Sequence, residues 1–243
     1  MKRKHRHELK QNEFLVWLEK TITWFSENQR NLMIGVAAAL VVGLILGGIN
    51  YYQDSRGAEA QVLLSEALEL FHARISDGSS AVQAAEGTEF ASSSERYGEA
   101  LTAFQKVTEQ YSSLEQGRQA RYYAAICQSG LGNHEDAVGL LEELTGGQRD
   151  LLYYLASRAL AMTKDEQGDH AGAIEVYRLI IEDPNNPLPK DQLLFSLAQT
   201  NERAGNLEEA RNNYKRVLEE YPESVLRGEV LQRDELIEYR LES

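Results

Sequence analysis

His134 and His170 stand 36 residues apart, each two residues after a glycine, and a pair of imidazoles is where a metal site or a general base would begin. Neither has the company that such chemistry needs. The chain has no His-Glu-x-x-His, no cysteine pair, no Gly-x-Ser-x-Gly and no Walker loop. The two histidines occupy the same turn position of successive sequence repeats, so repeat register accounts for them. Cys127 lies in an apolar helical pattern, as a small hydrophobe would. His5 and His7 sit among Lys2, Arg3, Lys4 and Arg6, cations that oppose metal binding. Gly130-x-Gly132 lacks both a third glycine and a preceding strand, and reads as a helix-ending turn. No catalytic residue, metal, cofactor or enzymatic activity is therefore expected; an enzyme remains the reading from another class, and a turnover assay would expose it.

The elements around these residues are helical and self-similar. Alanine followed four residues later by an aromatic or leucine recurs at Ala100/Phe104, Ala137/Leu141, Ala173/Tyr177 and Ala210/Tyr214, spaced 37, 36 and 37 residues apart. Gly132, Gly168 and Gly205 precede the last three alanines by five, and Pro184 and Pro222 trail the last two units. Alanine lets helix axes approach closely, the aromatic fills the gap to the next unit, and glycine closes the turn. The pattern resembles the tetratricopeptide repeat, a helix-turn-helix unit with a period near 34. The first unit lacks its own leading helix, and residues 58–76 stand in for it. Residues 77–94 read as a long exposed loop, with a short helical turn possible at Ala81 to Ala85. Residues 224–241, with Leu226, Val230, Ile237 and Leu241 on one stripe, read as the capping helix of the array.

Arrays of this kind offer a concave face built from the first helix of each unit. Counting eighteen, fifteen, eleven and eight positions back from each alanine gives three sets: Gln119, Tyr122, Ile126 and Ser129; Leu155, Arg158, Met162 and Asp165; Gln192, Phe195, Gln199 and Glu202. The groove expected to bind a partner comprises Tyr122, Ile126, Leu155, Arg158, Met162, Phe195 and Gln199. Arg158 is its single cation, so a clamp of converging cations on a peptide's terminal carboxylate is not expected. The apolar members suit an apolar or amphipathic segment, or else pack against neighbouring helices.

Ahead of the repeats, no charged side chain falls between Arg30 and Asp54, and Leu32 to Ile49 is continuously apolar or glycine. Eighteen helical residues reach roughly 27 Å, close to the hydrocarbon thickness of a bilayer. Residues 32–52 are therefore expected to form a transmembrane helix. Residues 1–31 carry seven Lys/Arg against four Glu, net +3, so the rest of this −13 chain is net −16. The excess of basic residues keeps the N-terminus in the cytoplasm, and no Ala-x-Ala-like cleavage site follows the span. The expected topology is an uncleaved signal anchor in a bacterial inner membrane, with residues 53–243 as the periplasmic domain. Phe14, Leu15, Leu18, Ile22 and Phe25 gather on one side of a helical wheel, flanked by Trp17 and Trp24. With the basic cluster at residues 2–7, this amphipathic helix would lie on anionic lipid or dock a partner. Ser26 followed by Gln29 fits a capping box between it and the span. Gly35, Ala39, Gly43 and Gly47 form a stripe of small residues, a candidate helix-helix interface in the membrane.

Trp24-Phe25-Ser26-Glu27-Asn28, the basic residue and glycine-rich span that follow, Tyr51-Tyr52 and an alanine-rich helix together resemble the ancillary subunit family of the SecYEG translocon. The resemblance covers roughly residues 24–70; Gln29 stands where glycine would be expected, and the 77–94 insertion is a second departure. It implies an all-α, single-span protein with a periplasmic tetratricopeptide-like domain, linking the translocon to periplasmic chaperones. A scaffold for another envelope complex, such as cell-wall or cytochrome assembly, is the alternative. Protein and lipid partners are expected, and no nucleic acid.

Overall fold

The computed structural model describes Trp17, residues 23–24, residues 29–76 and residues 89–242. The chain divides into two units at Arg56/Gly57. The proposed amphipathic helix, the Ser26 cap and the helical turn at Ala81 to Ala85 lie outside the described residues, apart from Trp17, Thr23 and Trp24.

Helix α1 spans Gln29–His72. Its glycines and small residues do not break it, in keeping with the absence of proline. Among the described residues no helix is long and apolar enough to cross a membrane. The apolar run Leu32 to Ile49 lies partly outside that description, because the side chains of Leu32, Val36 to Ala39, Ile45, Leu46 and Ile49 are not part of it. Within the first unit, Met33, Ile34, Leu40, Val41, Val42 and Leu44 are all more than half exposed.

In the second unit, β1 (Arg74–Ile75) and β2 (Glu89–Phe90) form a minimal parallel pair, Arg74 opposite Glu89 and Ile75 opposite Phe90. The expected exposed loop is therefore shorter than residues 77–94. Phe90 is buried, and α2 (Ser93–Gln110) already begins at Ser93, its first turn capped by Ser92 Oγ accepting from Glu95 N. There follow α3 (Glu115–Gly130), α4 (His134–Thr145), α5 (Leu151–Glu166), α6 (His170–Glu182), α7 (Lys190–Arg203), α8 (Leu207–Glu220) and α9 (Arg227–Glu242). Apart from the strand pair, the described residues of the unit are helices joined by short turns.

The turns repeat as the sequence does. Gly132, Gly168 and Gly205 have φ of 82°, 90° and 79°, the left-handed conformation that glycine adopts without steric cost. The next residue donates its N–H back across the turn: Asn133 to Gln128 O, Asp169 to Lys164 O and Asn206 to Asn201 O, at 2.8–2.9 Å. Each turn therefore satisfies carbonyls that the preceding helix leaves open and starts the next helix.

Ala100, Ala137, Ala173 and Ala210 are fully buried, and Phe104, Leu141, Tyr177 and Tyr214 pack beside them in the core. The residues of α1 beyond Gly57 supply the missing leading helix of the first unit. Ala60, Leu64 and Ala67 join Ala100, Phe104 and Val107 in one cluster, and the Phe71 ring lies 5.4 Å from that of Tyr123. At the other end α9 covers the last hairpin with Val230 and Ile237, both fully buried, while Leu241, expected on the same stripe, is left 38% exposed at the helix end.

Candidate functional site

The first helices of the last three hairpins, α3, α5 and α7, form a furrow made of two adjoining clefts. One, about 310 Å³, is lined by Tyr97 from α2, Tyr122, Ile126 and Ser129 from α3, and Arg158, Met162 and Glu166 from α5, among others. The other, about 500 Å³, runs on from Met162 and Glu166 to Asp165, His170, Tyr177, Gln199 and Arg203. Met162 and Glu166 line both. Alanine and glycine at the contacts hold the helices close; Gly130, for instance, faces the Tyr97 ring at a distance where an added Cβ would lie 2.6 Å from it.

Of the residues read from the sequence, Tyr122, Ile126, Arg158 and Met162 meet in the first cleft, and Met162 and Gln199 line the second. Leu155 and Phe195 do not line these clefts. They are half-buried against the core of the C-terminal hairpins, and the Phe195 ring sits 5.8 Å from that of Tyr214. An inward position on the first helix of one hairpin also abuts the second helix, and at these two positions packing prevails.

The furrow holds more charge than expected, since Arg203 and His170 reach it beside Arg158. Both, however, are bound to Asp165, a buried carboxylate. His170 Nδ1 is 2.7 Å from Asp165 Oδ1, Thr200 Oγ1 is 3.1 Å from Oδ2, and Arg203 hydrogen-bonds Oδ2 as well. Burial alone would raise the Asp165 carboxyl, but the hydrogen bonds from Arg203 and His170 outweigh it and hold the group below the ordinary value of 3.8. The same repeat position carries Ser129 one unit earlier and Glu202 one unit later. Ser129 Oγ donates to Glu166 Oε2 at 3.0 Å, and Glu202 accepts from Arg233 and Arg240 at 3.2 Å each. Ser129–Glu166, Asp165–Arg203 and Glu202–Arg240 thus form a ladder, each joining one helix to its counterpart 37 or 38 residues on. A second tie is Arg118, whose guanidinium takes both oxygens of Asp150, the N-cap of α5, at 2.7 and 3.2 Å.

Arg158 differs. It is half-buried in the first cleft beside Tyr122, and it takes part in no ion pair with a described carboxylate. Burial raises the Tyr122 hydroxyl above its ordinary value, with Arg158 opposing. Of the residues considered for chemistry, His5 and His7 lie outside the described residues. His134 and His170 open α4 and α6 at equivalent positions. Cys127 is fully buried, and desolvation pushes its thiol up to about 12, which suppresses the thiolate form that nucleophilic chemistry needs. Among the described residues no group of three or more His, Cys, Asp or Glu could hold a metal ion. In the first unit, a Cβ added at Gly35, Gly43 or Gly47 would meet no atom within 4 Å. The side chain of Ala39 is not described.

A stack of helical hairpins with small residues at the crossings, left-handed glycines in the turns and a lined furrow defines a repeat array of the protein-binding type. Family models of the tetratricopeptide repeat match residues 91–150, 128–187 and 192–224. The chain carries a tetratricopeptide-repeat domain and is a protein–protein interaction module. No curated protein matches the chain.

Proposed function

We propose that this protein is a membrane-anchored adaptor whose repeat array receives a protein segment in the furrow across α3, α5 and α7. The observation that carries this reading is the furrow itself, in which Met162, 47% exposed, sits at the junction of two clefts with tyrosines, an isoleucine and hydrogen-bonding side chains around it. No catalytic set converges there, since the acid, the histidine and one arginine are committed to one another.

The anchor is argued from the sequence and from exposure. Six large apolar side chains between Met33 and Leu44 are more than half exposed, which is costly in water and natural in lipid. Together with the uncharged window from Arg30 to Asp54 and the basic N-terminal segment, this supports a single span with the N-terminus in the cytoplasm and the array in the bacterial periplasm. Residues 24–70 support the particular role of an ancillary SecYEG subunit that links the translocon to periplasmic chaperones. The stripe Gly35, Ala39, Gly43 and Gly47 is the contact proposed with the larger membrane complex.

The experiment is site-specific photo-crosslinking in intact membranes, with the probe at Met162 and at Gly43 in separate variants. Translocon subunits captured from Gly43 and a periplasmic chaperone from Met162 are the expected products. Capture of a cell-wall or cytochrome-assembly complex would replace the translocon assignment. Degradation of the array by protease added from the cytoplasmic side alone would overturn the topology.

A further inference from the structure

We infer that the furrow selects an extended peptide segment in which an acidic residue and an apolar residue stand two positions apart, the acid on Arg158 and the apolar side chain against Met162 and Ile126. The inference rests on the adaptor reading and names the chemistry of its partner.

Two arginines and a histidine line the furrow, and they differ in commitment. Arg203 and His170 are both bound to buried Asp165, whose remaining contact is the Thr200 hydroxyl. Arg158 is half-buried, lines the first cleft beside Tyr122 and Met162, and has no described carboxylate paired to it. A partly desolvated guanidinium with open donors is best completed by a carboxylate, which it takes bidentately. The protein is net −13, yet its own acids do not fill this place: Glu166, at the far end of the same cleft, accepts from Ser129 and faces His134 at 3.8 Å. An acidic side chain from a partner therefore finds attraction at Arg158 and repulsion at Glu166, which fixes the direction in which the segment lies.

Spacing follows from geometry. Arg158 and Met162 are four residues apart on α5, about 6 Å along the helix axis. Residues i and i+2 of an extended strand point to the same side roughly 6.6 Å apart. An acid-x-apolar segment matches this interval; an acid adjacent to the apolar residue points the two to opposite sides.

The test uses the full-length chain in detergent and a set of fluorescent octapeptides of four kinds: Glu-x-Leu, Gln-x-Leu, Lys-x-Leu and adjacent Glu-Leu, each in several flanking contexts. Anisotropy titrations should show Glu-x-Leu peptides bound at least about tenfold more tightly than the other three, since Gln and Lys lose the charge-assisted bidentate contact and adjacent Glu-Leu cannot seat its acid and its apolar side chain together. Arg158→Gln should remove that preference while leaving the melting temperature within about 2 °C, and Arg158→Lys should restore part of it. Equal binding of Gln-x-Leu and Glu-x-Leu peptides, or full binding by Arg158→Gln, overturns the inference. If peptides bind without regard to the acid and Met162→Lys abolishes that binding, the acid anchor falls and the adaptor furrow stands. If no peptide of any kind binds, both fall.

Discussion

The two halves of the furrow place like side chains in like register and use them differently. Between α5 and α7, Arg203 and His170 close on Asp165, and the charges serve to hold one hairpin on the next. Between α3 and α5 the tie at the equivalent position is Ser129 to Glu166, the charged tie Arg118–Asp150 lies at the other end of the two helices, and Arg158 keeps its donors for something else. A repeat array thus gains a specific site by leaving one position of its inter-repeat ladder weakly tied while its neighbours are strongly tied. Binding capacity is then expected at Arg158, and charge-dependent stability at the Asp165 cluster and at Arg118–Asp150.

The largest expected effect breaks the second half. Asp165→Ala leaves Arg203 and His170 without their carboxylate and should cost roughly 2 to 3 kcal/mol in urea unfolding, less than a fully buried pair because Arg203 is half exposed. Removing the equivalent tie of the α3–α5 half by Ser129→Ala should cost under about 1 kcal/mol. Next in size, Phe195→Ala should cost about 2 kcal/mol because the ring packs on Tyr214 and the core. Met162→Ala, at the open junction of the clefts, should cost under about 1 kcal/mol and weaken partner capture instead.

A smaller effect concerns acid. Asp165 and Asp150 are both held below 3.8, Asp150 by the Arg118 hydrogen bonds above all. A carboxylate whose folded-state value is depressed contributes stability above its ordinary value and loses it as pH falls through the depressed one. The melting temperature should therefore fall as pH drops below 3.8, and Asp165→Asn should flatten that dependence relative to the parent chain. An unchanged slope would show that the Asp165 cluster does not hold the hairpins together.

The repeat was legible because its determinants are local and periodic. The four alanines and three turn glycines act through steric size and backbone conformation, and both survive in a one-dimensional reading. The furrow was half legible. Position in the repeat puts Tyr122, Arg158 and Met162 among the residues that line the first cleft but does not separate lining from packing at Leu155 and Phe195. That depends on how far the neighbouring second helix leans over them. The Asp165 cluster was missed because its partner lies 38 residues away and reads alone as one more exposed arginine. A signal was present: an acid eight residues before a repeat alanine recurs at Asp165 and Glu202, and an arginine follows each at 38 residues, Arg203 and Arg240. The start of α2 at Ser93 was hidden in a serine-rich stretch, where the same residues that mark loops also cap helices.

The most direct measurement compares Arg158→Gln with Arg203→Gln, each assayed for unfolding free energy and for affinity toward a Glu-x-Leu peptide. The expected result is a crossed pair. Arg158→Gln should lose about tenfold or more in affinity with stability within about 0.5 kcal/mol of the parent, and Arg203→Gln should lose about 1 kcal/mol of stability with affinity unchanged. Equal losses of affinity in both variants, or a stability loss confined to Arg158→Gln, would contradict the division of labour between the two halves of the furrow.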